Sequence, residues 1–204
     1  MSVNYTVVGD TRRKSQALDL VEKLDASLAL DSHGRWGPGI NHLRAWVLGN
    51  TLKSDWIAVI EDDAILCDDF VEKVDKLLET APTDVVSLYL GTGYPRHLVR
   101  SAQSAVELAE SRGENWLTLH TLNHAVCVLV RQSRVNDMLS VILPRRHHAA
   151  DEAISEWAQL RGIRISYPTV SLVDHRDEEP IISSSKRSDN EKRSLARRAF
   201  RFLG

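Results

Sequence analysis

Apolar residues fall along this chain in two alternating rhythms. Short apolar runs occur at Tyr5-Thr6-Val7-Val8, at Ser27-Leu28-Ala29-Leu30, over residues 56–60 and over residues 85–90. Runs of that length between polar residues predict strands buried on both faces, as in a parallel sheet. Between them the spacing turns helical. Ala17, Leu18, Leu20, Val21 and Leu24 make one stripe, and Leu43, Trp46 and Val47 form the inward face of a helix over residues 40–52. Phe70, Val74, Leu77 and Leu78 make a third stripe over residues 68–78. Strand and helix alternating this way predict a right-handed α/β sheet.

Beyond Leu90 the pattern loosens. Residues 96–115 are polar and predict a variable loop or a short helix. Residues 116–120 and 125–130 predict strands, and residues 133–143 a helix. A further helix over 153–160 has Ile154, Trp157 and Leu160 on one face, which aims Asp151 and Glu152 of its first turn toward the loop side. A late strand over 163–168 continues through 169–173 and delivers Asp174-His175-Arg176, then Ser183-Ser184-Ser185. Residues 1–185 read as a single domain and 186–204 as a basic C-terminal tail. The tail's 19 residues hold seven Lys or Arg against two acids. With a weak stripe of Leu195, Ala199 and Phe200, it docks as a helix, touches an anionic partner or stays mobile.

One strand differs from the others in its chemistry. Trp56-Ile57-Ala58-Val59-Ile60 runs straight into Glu61-Asp62-Asp63, and Ala64-Ile65-Leu66 follows. Three carboxylates at the end of a buried strand cost several kcal/mol each to desolvate unless a cation compensates them. Either the acids form a solvated turn, or they sit at the carboxyl end of an open α/β sheet, where ligand crevices form. There they suit a hard divalent cation that keeps positions open for phosphate oxygens. The first strand ends in Gly9-Asp10-Thr11 and enters a helix through Arg12-Arg13-Lys14, an order that can hold a phosphate or nucleotide. It lacks the full glycine fingerprint of a P-loop or dinucleotide site, and Arg12 and Arg13 can equally solvate a helix end. Asp31, ending the second strand, can accept from a base or ribose or cap a turn. His42 and Arg44, early in the second helix, face either a ligand or solvent.

Composition narrows the picture little. The net charge of −2 over 204 residues gives no reason for a whole-protein grip on nucleic acid or a membrane surface. Cys67 and Cys127 lack metal-type spacing and read as buried free thiols. No apolar run reaches the length of a membrane span and the amino terminus lacks a signal-peptide pattern, so the expected setting is cytoplasmic.

Taken in order, these pieces resemble a nucleotide-sugar glycosyltransferase of the GT-A fold. The likeness is to the lipopolysaccharide-biosynthesis family that includes bacterial galactosyltransferases and the collagen galactosyltransferase domain. It rests on Gly37-Pro38-Gly39-Ile40-Asn41-His42-Leu43-Arg44-Ala45-Trp46, then Ile60-Glu61-Asp62-Asp63-Ala64-Ile65-Leu66, then Leu88-Tyr89-Leu90-Gly91, Asp151-Glu152 and Tyr167-Pro168. It spans most of residues 3–185. The family's Cys-x-x-Ser-His appears here only as Ile40-Asn41-His42, and the acceptor-side insertions of larger relatives are absent. The resemblance implies a GT-A-like, Rossmann-type mixed sheet, mainly parallel and flanked by helices.

It also implies roles. Asp63 would be the main ligand of a Mn²⁺ or Mg²⁺ ion, with Asp62 and His175 as further ligands, and Glu61 or Asp62 touching the ribose or bridging through water. Asp151, or Glu152 after it, would take the acceptor hydroxyl's proton in an inverting transfer. Gly9, Arg12, Asp31, His42, Gly91 and Thr92 would contact the nucleotide sugar, a UDP-sugar such as UDP-glucose, and Trp36 and Tyr94 would stack on sugar or base. The acceptor would be a hydroxylated base in DNA, as for small phage-type enzymes acting in a host cytoplasm, or a saccharide. Two other readings use the same residues: a metal-dependent phosphohydrolase or nuclease built on the acids with His147, His148 and His175, and a non-catalytic nucleotide-sugar-binding module.

Overall fold

The computed structural model describes residues 1–93, 96–176 and 197–204. Strand β1 (Val3–Asp10) leads through a 3-10 turn, Thr11–Arg13, into α1 (Lys14–Leu24), and β2 (Ser27–Asp31) returns parallel to β1. Helix α2 (Gly37–Gly49) then crosses to β3 (Trp56–Glu61), which pairs parallel with β1 on its other side. After the acids come a short strand, β4 (Ala64–Leu66), α3 (Phe70–Leu78), β5 (Val85–Ser87) and α4 (Arg96–Ser111). Strands β6 (Trp116–Leu119) and β7 (Cys127–Arg131), helices α5 (Gln132–Ile142) and α6 (Ala150–Leu160), and strands β8 (Ile165–Pro168) and β9 (Val173–His175) complete the described elements.

Seven strands form one mixed sheet in the order β2-β1-β3-β7-β5-β8-β6, and β4 and β9 form a separate antiparallel pair. β7 runs antiparallel between β3 and β5, and β6 runs antiparallel to β8, so the other five strands point one way. This is the mainly parallel α/β sheet that the alternating rhythms predict.

The apolar runs are continuous because both faces of the sheet are covered. Along β3, Ile57 and Val59 point into a core shared with Trp46 of α2, Met138 of α5 and Trp157 of α6. Trp56, Ala58 and Ile60 point into the opposite core, with Leu20 of α1 and Phe70 and Val74 of α3. Alternation along a strand normally separates a wet face from a dry one, and here it separates two dry ones. Burying each such side chain contributes about 1.5–3 kcal/mol.

Several expectations change. Residues 96–111 are a full helix, because Ala102, Val106 and Ala109 make a narrow stripe of small apolar side chains that bury among polar neighbours. The segment after β8 does not extend that strand but leaves the sheet and returns as β9 against β4. Of the helix-face residues, Leu18, Val47 and Leu160 are exposed. β5 closes at Ser87 as a sheet strand; from there Leu88 N–H donates to Cys127 O and Leu90 N–H to Ser171 Oγ. Both cysteines are buried free thiols. Among the described residues no helix is long and apolar enough to cross a membrane. The tail's end, residues 197–204, lies along the body without forming a helix: Ala199 bridges Gly91, and Phe202 bridges Ser171. Leu195 and Ser183-Ser184-Ser185, like Tyr94, lie outside the described residues.

The end of α2 meets the sheet where only a hydrogen fits. A Cβ on Gly49 would stand 2.7 Å from Ile57 Cγ2 and 2.9 Å from Thr6 Oγ1. Gly49→Ala is therefore expected to destabilise the protein by roughly 1–3 kcal/mol, by overpacking against β1 and β3. Urea unfolding measures this, and an unchanged midpoint would show that α2 shifts without cost.

Candidate functional site

β1 and β3 are neighbours in the sheet, and the helices that follow them, α1 and α3, pack into one core while α2 packs into the other. Their carboxyl ends lie side by side at the edge where ligand crevices form in open α/β sheets. Asp10 ends β1, Asp31 ends β2 and Glu61 ends β3, so the acids at this edge follow from where the strands stop.

β9 supplies the next group. Its antiparallel pairing sets His175 opposite Ala64, directly after the acids, and Arg176 N–H donates to Asp63 O at 2.9 Å. A residue 112 positions later in sequence is thereby fixed beside Asp63 (175 − 63), with His175 Nε2 3.4 Å from Asp63 Oδ2. Ligand atoms of Glu61, Asp63 and His175 all lie within 4.8 Å of one another. His175 Nδ1 is 2.5 Å from the Arg176 carbonyl, which can only accept, so Nδ1 carries a proton and, in the neutral ring, Nε2 is the nitrogen left with a lone pair. Asp63 and His175 are buried, and Asp63 Oδ1 has no hydrogen-bond partner among the described residues. A shielded carboxylate oxygen, a second carboxylate and an imidazole lone pair make a donor set that fits a divalent cation.

Asp62 departs from its expected place. Its Oδ2 accepts from Asp10 N–H at 2.8 Å and its Oδ1 lies 3.5 Å from Arg13, so it ties β1 to β3 and stays outside the converging ligand atoms. Glu61, expected at the ribose, joins the cluster instead, and its Oε1 meets His42 Nε2 at 3.0 Å. His42 is buried and acts as a partner of Glu61.

The electrostatics reflect crowded carboxylates. Burial raises the pKa of Asp62 to about 6, helped by the charges of Asp63 and Glu61 and opposed by the Asp10 N–H and Arg13. Burial and Glu61 also push Asp63 up, against His175 and Arg13. Burial would raise Glu61 as well, but the His42 contact and the charges of His42, His175 and Arg197 outweigh it and hold Glu61 below the usual range. A cation here would supply the compensation that two of the three acids lack.

Arginine placement also differs from expectation. Arg12 projects outward and pairs with Asp10 at 2.8 Å, whereas Arg13 turns inward onto Asp63 and Asp62. Both stood in the same basic run, and the 3-10 turn decides which one enters. Asp31 is a loop organiser: its carboxylate accepts from the N–H groups of Arg35, Trp36 and Gly37 at 3.0–3.1 Å. Burial alone would raise its pKa, but these bonds and one from His33 hold it low. The turn-capping alternative is thus realised. Trp36, at the tip of that loop, is 48% exposed and stacks against the Arg44 guanidinium.

Gly9 sits where β1 approaches α1, with room for no more than a hydrogen, since a Cβ would meet that of Ala17 at 2.9 Å. The Gly91–Thr92 loop is one strand removed from the acids, because β7 intervenes, and residues 198 and 199 cover it. Asp151 and Glu152 separate clearly. Asp151 is half-buried at the start of α6, where burial and the Glu61 charge raise its pKa to about 6 and its Oδ1 accepts from the Glu152 N–H; Glu152 is exposed. His147 and His148 are exposed in the turn before α6, so of the three histidines in the hydrolase reading only His175 joins the acids.

No family model matches the chain, and no curated protein matches it. The solved structure "Crystal Structure of A197 from STIV" is similar over 100% of this chain and 97% of that chain, with a TM-score of 0.51 and 15% identity. At that identity the likeness shows the fold alone.

The Asp151 shift gives a stability signature. Its folded-state pKa lies above the ordinary 3.8, so the folded protein holds a proton that the unfolded chain has released. Stability from this group is present below that ordinary value and lost as pH rises through about 6. Asp151→Asn removes the ionisable group and is expected to raise the metal-free melting midpoint at pH 7 by roughly 3–6 °C, with no gain at pH 3.5. Melting curves across that range check it, and equal gains at both pH values would contradict it.

Proposed function

We propose that this chain is a divalent-metal-dependent glycosyltransferase, moving a sugar from a nucleotide-sugar donor, a UDP-sugar, to an acceptor hydroxyl. The observation that carries the reading is the convergence of Glu61, Asp63 and His175 at the carboxyl ends of β1 and β3, with a buried Asp63 oxygen that lacks a partner among the described residues. The order of motifs that resembles the lipopolysaccharide-biosynthesis family, Glu61-Asp62-Asp63 among them, also supports it.

Glu61, Asp63 and His175 would hold Mn²⁺ or Mg²⁺, which when bound neutralises charge on a leaving diphosphate. The chain's own residues do the rest. His42 holds Glu61 in place through Oε1, and Asp62 fixes the end of β1 through the Asp10 N–H. Arg13 brings a guanidinium to the same edge, placed to meet anionic oxygens at the start of α1. Asp151 is the residue to accept the acceptor's proton, because it opens α6 within reach of the Glu61 charge, with a pKa of about 6 that leaves it ionised at neutral pH. The acceptor is a saccharide hydroxyl or a hydroxylated DNA base. DNA affinity that falls steeply with salt marks the second class, and turnover of saccharides without DNA affinity marks the first.

A donor screen with Mn²⁺ or Mg²⁺ tests the proposal through thermal stabilisation and nucleotide release. At least one UDP-sugar is expected to stabilise the protein only when metal is present. Asp63→Ala should abolish that metal-dependent stabilisation while the far-ultraviolet circular dichroism stays unchanged. No stabilisation by any nucleotide sugar with metal, or an Asp63→Ala variant with full turnover, would overturn it. Binding without nucleotide release from any acceptor would replace it with the non-catalytic reading.

A further inference from the structure

The last described segment is built into the cluster's wall. Thr92 N–H donates to Arg198 O at 2.8 Å, Ala199 N–H to Asp174 Oδ1 at 2.7 Å, and Phe200 N–H to Leu90 O at 3.0 Å. Ser171 N–H donates to Arg201 O at 2.9 Å. These bonds pin residues 198–201 across the ends of the Leu90–Gly91 and Ser171 backbones. Asp174 accepts from both Ala199 and His175, so one carboxylate registers this strap against the histidine. The Arg198 side chain adds a bond to His175 O.

The registration brings the Arg197 guanidinium to 3.3 Å from His175 Nε2. In the neutral ring Nε2 is the lone-pair nitrogen, because Nδ1 is committed to the Arg176 carbonyl. The guanidinium therefore donates to the same lone pair that a metal ion would take, and its charge also acts on Glu61. A lone pair accepts one strong partner along its axis at a time. Arg197 and a cation coordinated by Nε2 exclude each other.

We propose that Arg197 is an intramolecular competitor for the cation site, seated by the 198–201 strap on the His175 lone pair and displaced when a divalent ion binds. The proposal rests on the reading of Glu61, Asp63 and His175 as a cation site. In the metal-free protein Arg197 supplies part of the positive charge the acids need, and metal binding must break its bond to Nε2. Occupancy of the cluster is thereby linked to the position of the C-terminal strap. Gly91 makes the seat possible, since a Cβ there would collide with the carbonyl of Arg198 and stand 2.6 Å from Tyr89 Oη.

Titration calorimetry with MnCl₂ alone on the full chain tests this. Arg197→Ala removes the competitor directly, and Gly91→Ala unseats the strap while leaving Arg197 in the sequence. Both are expected to bind Mn²⁺ about tenfold more tightly than the unaltered protein, the size of one lost charge-assisted hydrogen bond. If the unaltered protein binds Mn²⁺ and Arg197→Ala binds it equally or more weakly, Arg197 is not a competitor and the cation site stands without it. If the unaltered protein and both variants bind no Mn²⁺, the cation reading falls and this inference with it.

Discussion

Three carboxylates at the end of a fully buried strand set the terms for this edge of the molecule. β3 is dry on both faces, so its last residues emerge from the core directly into a crevice with little water to spread their charge. Each nearby element contributes something that answers that charge. The Asp10 N–H and Arg13 come from β1 and the turn after it, His42 from α2, His175 from β9 and Arg197 from the C-terminal strap. Even so, Asp62 and Asp63 remain pushed toward protonation, and one oxygen of Asp63 has no partner among the described residues. The described residues thus satisfy the cluster incompletely, and the proposed cation site rests on that shortfall.

The fold serves this arrangement through two non-local pairings. The parallel ladder of β1 with β3 sets Val8 against Glu61, placing the start of α1 beside the acids. The separate β4–β9 ladder carries His175 across from Ala64. The two-stranded sheet is small, yet it fixes the geometry of the cluster more directly than the seven-stranded one. The large sheet supplies rigidity and the edge, and the small one supplies the histidine.

The alternation of apolar runs and helical stripes was enough to read the sheet's class, its first five elements and the acid-tipped strand. The resemblance also implied that His175 lies beside Asp63, and the two do come together. Other features depend on packing that periodicity does not record. The stripe of α4 uses alanines and one valine within a polar stretch, too faint to separate from a loop. β4 is three residues long, and its partner lies more than 100 residues away, so no local pattern announces it. Arg12 and Arg13 are equivalent in sequence; the tight 3-10 turn alone sends one out and the other in. Asp31 is consumed by its own loop, an outcome that its short glycine-rich neighbourhood allowed but did not single out. Arg197 is one of seven basic residues scattered through the last 19, whose docking no charge count could place.

The central claim is that Glu61, Asp63 and His175 converge in order to bind a divalent cation. Crystals grown with MnCl₂ and measured at the manganese absorption edge test it most directly. The account predicts one strong anomalous peak within about 2.0–2.4 Å of an Asp63 carboxylate oxygen and His175 Nε2, with Glu61 alongside. A manganese ion bound elsewhere, or a cluster that stays closed on Arg13 and Arg197 at millimolar manganese, would contradict it.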